Sequence, residues 1–344
     1  MNFIKYWCDN IQTVEWIRFH QPAIILAPME GIADYNVRRW MTSTGAFDYS
    51  VTEFFRVTQH PIPPSVFKKR APEILDPINN RTWVQILGGD PHMMAESALN
   101  AVSAGATAID INFGCPAPTV NRHDGGATLL KYPSRLESIV RAIRDRLPSH
   151  ISVSAKLRLG WDTIDAIDEN AKRTEQGGAN WISIHGRTRM AGYQPPAFWK
   201  PIGRVKKALS IPVVANGEIW SVEDFTRCRE ETECEHFMLG RGAMASPATA
   251  LAIRTLLNLK RLDHQSEPPQ SIHANEWATW LSQLSEKMNV QLVPDDAQAK
   301  RLKGIARFVA MKSQPIWWED FKRSSQPLNY LKMEMGKLAF TEPN

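Results

Sequence analysis

Residues 153–185 read VSAKLRLGWDTIDAIDENAKRTEQGGANWISIH. Two short apolar runs, Val153–Leu157 and Trp181–His185, have the length and composition of buried strands. Between them, Ile164–Gln176 has helical periodicity, and Gly177 follows it at the place where a helix should end. A strand, a helix and a second strand in this order predict parallel strands joined by a crossover helix.

The same unit recurs from the first apolar run to residue 240. Further strands are predicted at Ile24–Ala27, Tyr49–Glu53, Trp83–Leu87, Ala108–Asn112, Val213–Asn216 and Phe237–Gly240. Further helices are predicted at Pro91–Ala104, Ser134–Arg146 and Val222–Glu231. Eight strands that alternate with helices favour an α/β fold, the (β/α)8 TIM barrel. The alternative is an open doubly wound sheet, which usually has a glycine-rich turn after its first strand; Ala27–Gly31 is not such a turn.

The strand pattern stops near residue 259, and the rest of the chain predicts a smaller, all-helical C-terminal domain. We expect four parts: an N-terminal extension at 1–21, a catalytic barrel at 22–259, a linker at 260–272 and a helical domain at 273–344. Helices in the last part are predicted at 273–290, 296–312 and 316–338. The proline-rich residues 61–80 are expected to form an irregular loop.

The composition excludes some classes of protein. Of the 344 residues, 43% are hydrophobic, which is enough for a large core, yet no run is long and apolar enough to span a bilayer. The net charge of +5 allows a polyanionic partner but does not require one. The four cysteines, Cys8, Cys115, Cys228 and Cys234, lack the paired spacing of a metal site. We therefore expect a reduced, cytoplasmic protein that binds no metal.

Polar or reactive residues follow nearly every predicted strand. In strand order they are Met29 and Glu30, Glu53 and Arg56, Gln85, Asn112 and Cys115, Lys156, His185, Asn216, and Gly240 with Arg241. A single residue of this kind is more often a cap or a solvated loop residue. In a barrel, however, all strand ends meet at one face, and that face carries the active site. The whole set therefore predicts one catalytic rim.

Three members of this set indicate specific chemistry. Gly240–Ala243 precedes a helix, and its glycines allow backbone N–H groups to approach a phosphate; an ordinary tight turn is the alternative. Lys156 lies on a buried strand, where it needs an anion such as a reduced flavin, unless it extends its amine to solvent. Cys115 lies in a loop at the rim, where a protonated thiol could act as a general acid; a structural role is the alternative.

Six short motifs together resemble those of the tRNA-dihydrouridine synthases. They are Ala27–Gly31 (APMEG), Asn112–Pro116 (NFGCP), Gly126–Leu130 (GATLL), His185–Arg189 (HGRTR), Asn216–Ile219 (NGEI) and Gly240–Ala243 (GRGA). Their order and spacing match the family from about residue 22 to the C-terminus. Two further segments, Thr52–Val57 and Leu159–Asp162, are most similar to the bacterial dihydrouridine synthase C branch, which modifies uridine 16 of the D-loop.

This resemblance implies that FMN and NADPH serve the reduction of a tRNA uridine to 5,6-dihydrouridine. It implies a hydride from the flavin to C6 of uracil and a proton from Cys115 to C5. The residues that the resemblance places at FMN are Pro28, Met29, Glu30, Gln85, Lys156, His185, Asn216, Gly217, Glu218, Gly240 and Arg241. Those that it places at the flipped uridine and its neighbours are Arg56, Asn112 and Tyr193.

The C-terminal domain also favours an RNA partner. Lys300, Arg301, Lys303, Arg307 and Lys312 crowd one predicted helix, and no acidic residue lies between the first and the last of them. A solvated basic face is the commoner role of such a run, but beside a barrel that resembles an RNA-modifying enzyme phosphate contact is favoured. The residues expected to contact tRNA are Lys300, Arg301, Lys303 and Arg323.

Other functions remain open at this point. The same reaction at another D-loop uridine and an FMN barrel that acts on a free pyrimidine are both compatible with the rim residues. An RNA-binding module on a barrel without catalysis is the alternative outside enzymes. We expect the enzyme to act as a monomer without a membrane partner.

Overall fold

A computed structural model describes residues 21–76, 80–259, 277–290, 295–313, 317–327, 329–330 and 333. The predicted linker and all but the last residue of the predicted N-terminal extension lie outside these residues. The division of the chain into four parts therefore stays a prediction.

The described residues form a closed parallel β-barrel. Its strands are β1 (Ala23–Leu26), β2 (Tyr49–Val51), β3 (Phe55–Arg56), β4 (Thr82–Leu87), β5 (Ala108–Asn112), β6 (Ser152–Arg158), β7 (Trp181–His185), β8 (Val213–Asn216) and β9 (His236–Leu239). β1 pairs with β9 on one side and with β2 on the other, and β2 pairs with β4, which closes the wall. Both β2 and β3 pair with β4, so together they form the second of eight positions around the wall. The predicted TIM barrel is confirmed.

The second position differs from the predicted strand Tyr49–Glu53, because the strand is interrupted after Val51. The Thr52 hydroxyl oxygen accepts a hydrogen bond from the Gln85 backbone N–H at 2.9 Å. A side chain thus satisfies a backbone group of the neighbouring strand where regular strand structure is interrupted. The Glu53 carboxylate accepts a hydrogen bond from Gly31 N–H at 2.6 Å, which ties this position to the loop after β1.

Helices surround the barrel. They are α1 (Tyr35–Ser43), α2 (Pro64–Arg70), α3 (Pro91–Ser103), α4 (Pro118–Asn121), α5 (Pro133–Arg146), α6 (Ala166–Gln176), α7 (Lys200–Ala208), α8 (Val222–Thr232), α9 (Arg241–Ala245) and α10 (Pro247–Leu256). Their starts follow local chemistry: Asp34 caps α1, and Ser221 with Asp224 forms a capping box at α8. Gly105, which follows the C-terminal cap of α3, has a φ of +118°, a conformation that favours glycine.

The interior of the barrel is packed in its lower part and polar at its upper end. A separate apolar cluster, which includes Trp83, Trp181, Val214 and Met238, fills the lower part. The two indole rings lie 4.6 Å apart between centroids. Because inward-facing side chains alternate along a strand, the next inward residues after this layer, such as Gln85, lie toward the carboxyl ends of the strands. The fold thereby directs polar side chains to one rim.

Residues 61–80 are not the irregular loop that the sequence predicted. Within this segment the chain forms α2 and a 3₁₀ helix, Pro72–Leu75, while residues 77–79 lie outside the described part. Pro64 begins α2, where a missing N–H costs nothing, and basic residues occupy its last turn. Phe67 is fully buried and packs on Phe55, with ring centroids 4.6 Å apart. The helix therefore depends on a tertiary contact that its short periodicity did not reveal.

Beyond the barrel, the described residues include the helices α11 (Trp277–Val290), α12 (Asp295–Ser313) and α13 (Trp318–Arg323). Leu302, Ile305 and Val309 form the buried face of α12, as the periodicity predicted. The same helix packs closely against the loop after β1. A Cβ atom added to Gly304 would lie only 2.4 Å from Ile32 Cδ1 in that loop. Glycine at this position allows the close approach of α12 to the barrel.

The predicted helix 316–338 is wrong in its extent. α13 ends at Arg323, and Ser324 leaves the helical region with a ψ of 128°. The Ser324 hydroxyl oxygen then accepts a hydrogen bond from Gln326 N–H at 3.1 Å. Pro327 disfavours a helical conformation at the residue before it, so the chain bends here before further helical residues follow.

Candidate active site

The strand register places the predicted rim residues in a continuous row. Asn112 lies beside Lys156 in the pairing of β5 with β6. Two residues further along β6, Arg158 lies beside His185, and His185 lies beside Asn216. Side chains that the sequence separates by more than 100 residues therefore share one end of the barrel.

Cys115 lies in the loop that leaves β5, and this loop is held by hydrogen bonds at both ends. Its backbone N–H donates to Asn112 Oδ1 at 2.8 Å, and its carbonyl oxygen accepts from Ala127 N–H at 3.1 Å. The thiol is free and partly buried. Burial raises the pKa of the Cys115 thiol, against a backbone hydrogen bond from Ala117 and the charge of Arg158, which lower it. The thiol is therefore protonated at neutral pH, as a general acid requires.

Lys156 lies above a buried carboxyl group. Asp110 accepts hydrogen bonds from Ser154 at 2.6 Å and from the Gln85 amide at 2.7 Å, and burial raises its pKa. Burial, together with the nearby charge of Arg158, lowers the pKa of Lys156 to about 8. So low a pKa means that the surrounding protein stabilises the positive charge of Lys156 poorly. An anion bound beside this ammonium group would therefore be stabilised.

Three arginines surround His185 and make the rim strongly positive. Burial holds the pKa of His185 well below its usual range, and the charges of Arg158, Lys156 and two further arginines add to this effect. Its imidazole is therefore neutral at pH 7. Arg187 is fully buried, with Nη1 lying 3.2 Å from His185 Nε2, and it forms an ion pair with Glu218. Burial lowers the pKa of Arg187 to about 10, which leaves it charged at neutral pH.

The turns after β8 and β9 approach each other and the histidine closely. Gly217 has a φ of +109°, and a Cβ atom there would lie 2.3 Å from His185 Cδ2. A Cβ atom on Gly242, in α9, would lie 2.0 Å from the Ile219 carbonyl oxygen. Trp199 fixes the first turn, since its indole N–H donates to the Gly217 carbonyl at 2.9 Å. Only residues without side chains allow this geometry.

These two turns fit the phosphate of a mononucleotide. The first N–H groups of α9 have no partner within the helix and follow directly after Gly240. Arg241 is partly buried beside them, and its Nη2 lies 3.5 Å from Glu218. A cation, N–H groups and a backbone cradle free of Cβ atoms form a donor set suited to a phosphate dianion.

The loop after β1 lies beside the turn after β9 on the rim, because β1 pairs with β9. Pro28 and Met29 are partly buried and Glu30 is exposed. A Cβ atom on Gly240 would lie 3.7 Å from Met29 Sδ, so this loop faces the turn after β9. Burial raises the pKa of the Glu30 carboxyl, and the charge of Glu53 adds to this effect.

Gln85 and Asn112 are already engaged with each other. Asn112 Nδ2 donates to Gln85 Oε1 at 2.8 Å, and the Gln85 side chain is fully buried. The Asn112 oxygen in turn accepts from Gly114 N–H and Cys115 N–H, at 3.0 and 2.8 Å. The structure thus gives both amides a role in holding the Cys115 loop, and their contacts with a cofactor or uridine stay predictions.

Tyr193 and Arg56 lie exposed at the mouth. The Tyr193 ring is 54% exposed, and the guanidinium carbons of Arg158 and Arg241 each lie 5.0 Å from its centroid. The ring thus marks the solvent side of the positive rim. Arg56 Nη2 donates to the Thr119 carbonyl at 3.1 Å, which connects the second barrel position to the segment after Cys115.

The basic residues predicted to contact tRNA divide into two groups. Arg301 forms an ion pair with Asp34, and Lys303 Nζ donates to the Ser324 carbonyl oxygen at 2.7 Å. Their charges are engaged within the chain. Lys300 is exposed on α12, and Arg323 is exposed on α13 beside Glu319. Contact of all four with tRNA stays a prediction.

Two buried arginines of the rim were missed as site residues in the sequence. Arg158 donates to the Gly114 carbonyl from Nε at 2.9 Å and to the Gly192 carbonyl from Nη1 at 2.6 Å. Arg187 links His185 to Glu218. Arg158 directly follows the predicted strand Val153–Leu157, whereas the observed strand includes it. Alternation along the strand puts Arg158 on the same face as Lys156, and this is the signal that could have found it.

The described residues include neither a metal-binding cluster nor a membrane-spanning helix. No group of three or more His, Cys, Asp and Glu side chains within them is arranged to hold a metal ion. None of the helices in the described ranges is long and apolar enough to cross a membrane.

The sequence matches known proteins over most of its length. The family model for dihydrouridine synthase (Dus) matches residues 25–327. A tRNA-dihydrouridine(16) synthase from Cupriavidus necator is 41% identical over 269 residues, which cover 77% of this chain and 82% of the relative. Another from Pseudomonas putida is 46% identical over 234 residues, which cover 67% of this chain and 72% of the relative.

A solved structure gives independent support for the fold. Histamine dehydrogenase from Rhizobium sp. 4-9 superposes with a TM-score of 0.52 at 11% identity, over 77% of this chain and 49% of that chain. At this identity the likeness concerns the barrel fold alone.

Proposed function

The chain belongs to the dihydrouridine synthase family, and from this premise we propose that it reduces one uridine of tRNA to 5,6-dihydrouridine, with FMN as cofactor and NADPH as reductant. The observation that carries this proposal is the meeting of a protonated thiol with a positive rim and a phosphate cradle at one end of the barrel. Because the named relatives act on position 16, we propose uridine 16 as the target.

One set of rim residues would bind the phosphate of FMN, and another set would contact its ring. Gly217, Gly240 and Arg241 would hold the phosphate, where the two turns approach without Cβ atoms. Lys156 and the neutral His185 would face the ring, because both point from the strand ends into the barrel mouth. The remaining predicted contacts are Pro28, Met29, Glu30, Gln85, Asn216 and Glu218. Bound FMN supplies a hydride for C6 of uracil, and its reduced ring carries negative charge that Lys156 stabilises.

The protein residues supply the proton and the position of the base. Cys115 holds its proton at neutral pH and would deliver it to C5 of the uracil. Extracting a base from a folded RNA costs a few kcal/mol, which stacking and edge hydrogen bonds must offset. Tyr193 offers an exposed ring, and Arg56 offers an exposed guanidinium at the mouth, one nitrogen of which already donates to Thr119. Asn112 Nδ2 donates one hydrogen bond to Gln85, so its second N–H would be the donor for the base.

The pH profile should report the Cys115 thiol. Burial raises its pKa, so the acid form persists above the ordinary thiol pKa of about 8.5. The proton is present below the raised pKa of Cys115 and is lost above it, so dihydrouridine formation should fall on the alkaline side of that value. Lys156 has a pKa of about 8 without a bound anion, and a negative charge beside it raises that pKa, so its ammonium form should persist over the same range in the loaded enzyme. Measuring kcat from about pH 6 to about pH 10 at saturating tRNA and NADPH checks this. If kcat begins to fall below pH ~8, the group that loses its proton is not the Cys115 thiol, and the assignment of the acid is wrong.

The exposed part of α12 should contribute to tRNA binding. Lys300 and Arg307 are exposed, whereas Arg301 is engaged with Asp34. Reversing both exposed charges to glutamate should weaken tRNA binding by about tenfold or more and flatten its salt dependence, because phosphate contacts release counterions. Arg301→Ala should mainly lower thermal stability.

A matched double reversal, Arg204→Glu with Lys207→Glu on α7, serves as the control. These two residues are also exposed, but they pair with Asp168 and Glu233 on the outer wall of the barrel. Equal loss of affinity in both double variants would mean that only net charge matters and that α12 makes no specific contact.

We propose that the enzyme works as a monomer in the cytoplasm, where its tRNA substrate is present.

The test of the function uses a strain that lacks the dihydrouridine of position 16. Expression of the chain should restore dihydrouridine at position 16, and Cys115→Ala should not. Dihydrouridine at another D-loop position would move the target while keeping the reaction. No dihydrouridine, together with reduction of a free pyrimidine by the purified protein, would replace the proposed substrate.

A further inference from the structure

Two cations converge on one indole ring beside the mouth of the barrel. Lys131 Nζ lies 3.8 Å from the centroid of the Trp161 ring, and the guanidinium carbon of Arg189 lies 4.7 Å from it. The three residues belong to the segments that follow β5, β6 and β7, so they share the rim with the active site. None of them has a role in the site described above. We call this group the Trp161 cluster.

The cluster is held by the backbone of two rim loops. Arg189 N–H donates to the Gly160 carbonyl and Met190 N–H donates to the Trp161 carbonyl, each at 2.9 Å. A Cβ atom on Gly160 would lie 2.1 Å from the Thr163 carbonyl oxygen, so the turn that carries the tryptophan requires glycine. The indole and the guanidinium are therefore set in place before any ligand arrives, which lowers the entropic cost of binding.

Among the residues that the structure describes, no acidic side chain pairs with the cations of the cluster. Neither Lys131 nor Arg189 forms an ion pair within the described ranges. Arg189 Nη1 meets only a weak acceptor, the Met190 sulfur at 3.5 Å, and its Nε is buried without a hydrogen-bond partner there. A cation–π contact at an exposed site stabilises a cation only weakly, and two cations at one ring repel each other.

In a comparable arginine–tryptophan contact elsewhere on the barrel, the arginine also pairs with an acidic residue. The guanidinium carbon of Arg227 lies 5.5 Å from the centroid of the Trp199 ring, and its Nη2 forms an ion pair with Asp224 at 2.6 Å. The lack of an acid at the Trp161 cluster is therefore a property of this place and not of arginine–tryptophan contacts in this protein. An anion from outside the chain would complete the cluster.

The cluster adjoins the residues that face the substrate. Arg158 Nη1 donates to the Thr188 and Gly192 carbonyls, at 2.9 and 2.6 Å, on either side of Arg189. The segment that ends at Lys131 begins beside Cys115, whose carbonyl accepts from Ala127 N–H. Tyr193 lies in the same loop as Arg189 and is exposed.

We propose that Lys131 and Arg189, set by Trp161, bind a phosphate of the RNA backbone next to the uridine that enters the site. This inference rests on the proposed function and adds a substrate contact to it. Lysine and arginine together present donors suited to phosphate oxygens, and the aromatic ring keeps both cations at the surface. The contact anchors the strand beside the flipped nucleotide, so it acts on tRNA affinity and not on the chemical step. The 2′-phosphate or pyrophosphate of NADPH has the same chemistry, and the test must separate the two sources.

The test compares Lys131→Ala, Arg189→Ala and their combination with the wild-type FMN-loaded enzyme. We expect each single variant to bind unmodified tRNA about five- to tenfold more weakly and to lower the slope of log affinity against log salt by about one. The rate at saturating tRNA should be unchanged. Lys131→Arg keeps the charge and should restore affinity, and Arg227→Ala, the matched arginine beside a tryptophan, should bind tRNA like the wild type.

Two results would overturn the inference. One is unchanged tRNA affinity and salt slope in the double variant, with normal flavin content. The other is a raised NADPH requirement for flavin reduction without tRNA, accompanied by normal tRNA affinity, which would assign the cluster to the dinucleotide. Dihydrouridine formation by the wild-type enzyme is measured alongside. If the wild type forms the product while the variants bind tRNA normally, only this inference fails; if the wild type forms none, the proposed function fails.

Discussion

Cys115→Ala is expected to bind FMN and tRNA normally and to lose dihydrouridine formation by about 10²- to 10⁴-fold, the usual contribution of a general acid. The physical reason is the raised pKa of the buried thiol, which keeps a transferable proton at the rim at neutral pH. Alanine removes this proton donor and leaves the loop intact, because the loop is held through backbone groups of residue 115. Single-turnover formation of dihydrouridine from the reduced enzyme measures the effect without the NADPH step.

Cys228→Ala is the matched control for this variant. Cys228 is a free cysteine that is fully buried on α8, in the layer of helices outside the barrel wall. Its replacement should cost some stability through lost packing and leave the chemical step unchanged. If Cys115→Ala turns over at the wild-type rate, another group protonates C5 and the assignment of the acid is wrong.

Gly217→Ala is expected to weaken FMN binding by about 10- to 100-fold. A Cβ atom at this position would lie 2.3 Å from His185 Cδ2, and the φ of +109° is one that alanine adopts only with strain. Either the imidazole or the turn must move, at a cost of about 1–3 kcal/mol, and both belong to the cradle of the cofactor. Titration of the apoprotein with FMN, followed by flavin fluorescence, measures the dissociation constant.

Gly192→Ala separates the steric effect from the backbone effect. Gly192 also has a positive φ, of +58°, but a Cβ atom there would meet nothing within 4 Å. This variant should lose about 1 kcal/mol of folding stability and keep its affinity for FMN. Equal loss of FMN affinity in both variants would show that the turn after β8 is no special part of the cofactor site.

The barrel and most of its rim could be predicted from local sequence. Strands such as Ala108–Asn112 and Trp181–His185 have the predicted bounds, because continuous apolar runs between helices have few other uses. Lys156 could be singled out because a charged residue inside such a run needs a special partner. Arg158 was harder to recognise as a site residue from the sequence, because an arginine is common directly after a predicted strand.

What the sequence did not reveal depends on contacts between distant segments. The helix Pro64–Arg70 is too short for a clear periodicity and is fixed by Phe67 on Phe55. Arg301 belongs to a basic run, yet it forms an ion pair with Asp34 at the start of α1. No local pattern distinguishes it from Lys300, which remains exposed on the same helix. The partner of a charged side chain is set by tertiary packing, which periodicity does not encode.

The central claim is that a flavin, a thiol and a tRNA uridine meet at the carboxyl end of this barrel. The most direct test is to reduce the FMN-loaded enzyme with NADPH in the absence of oxygen and to mix it with unmodified tRNA. We predict that the flavin is reoxidised as dihydrouridine forms at position 16, with one product for each flavin. A flavin that stays reduced in the presence of tRNA, or one that is reoxidised without forming dihydrouridine, would contradict the claim.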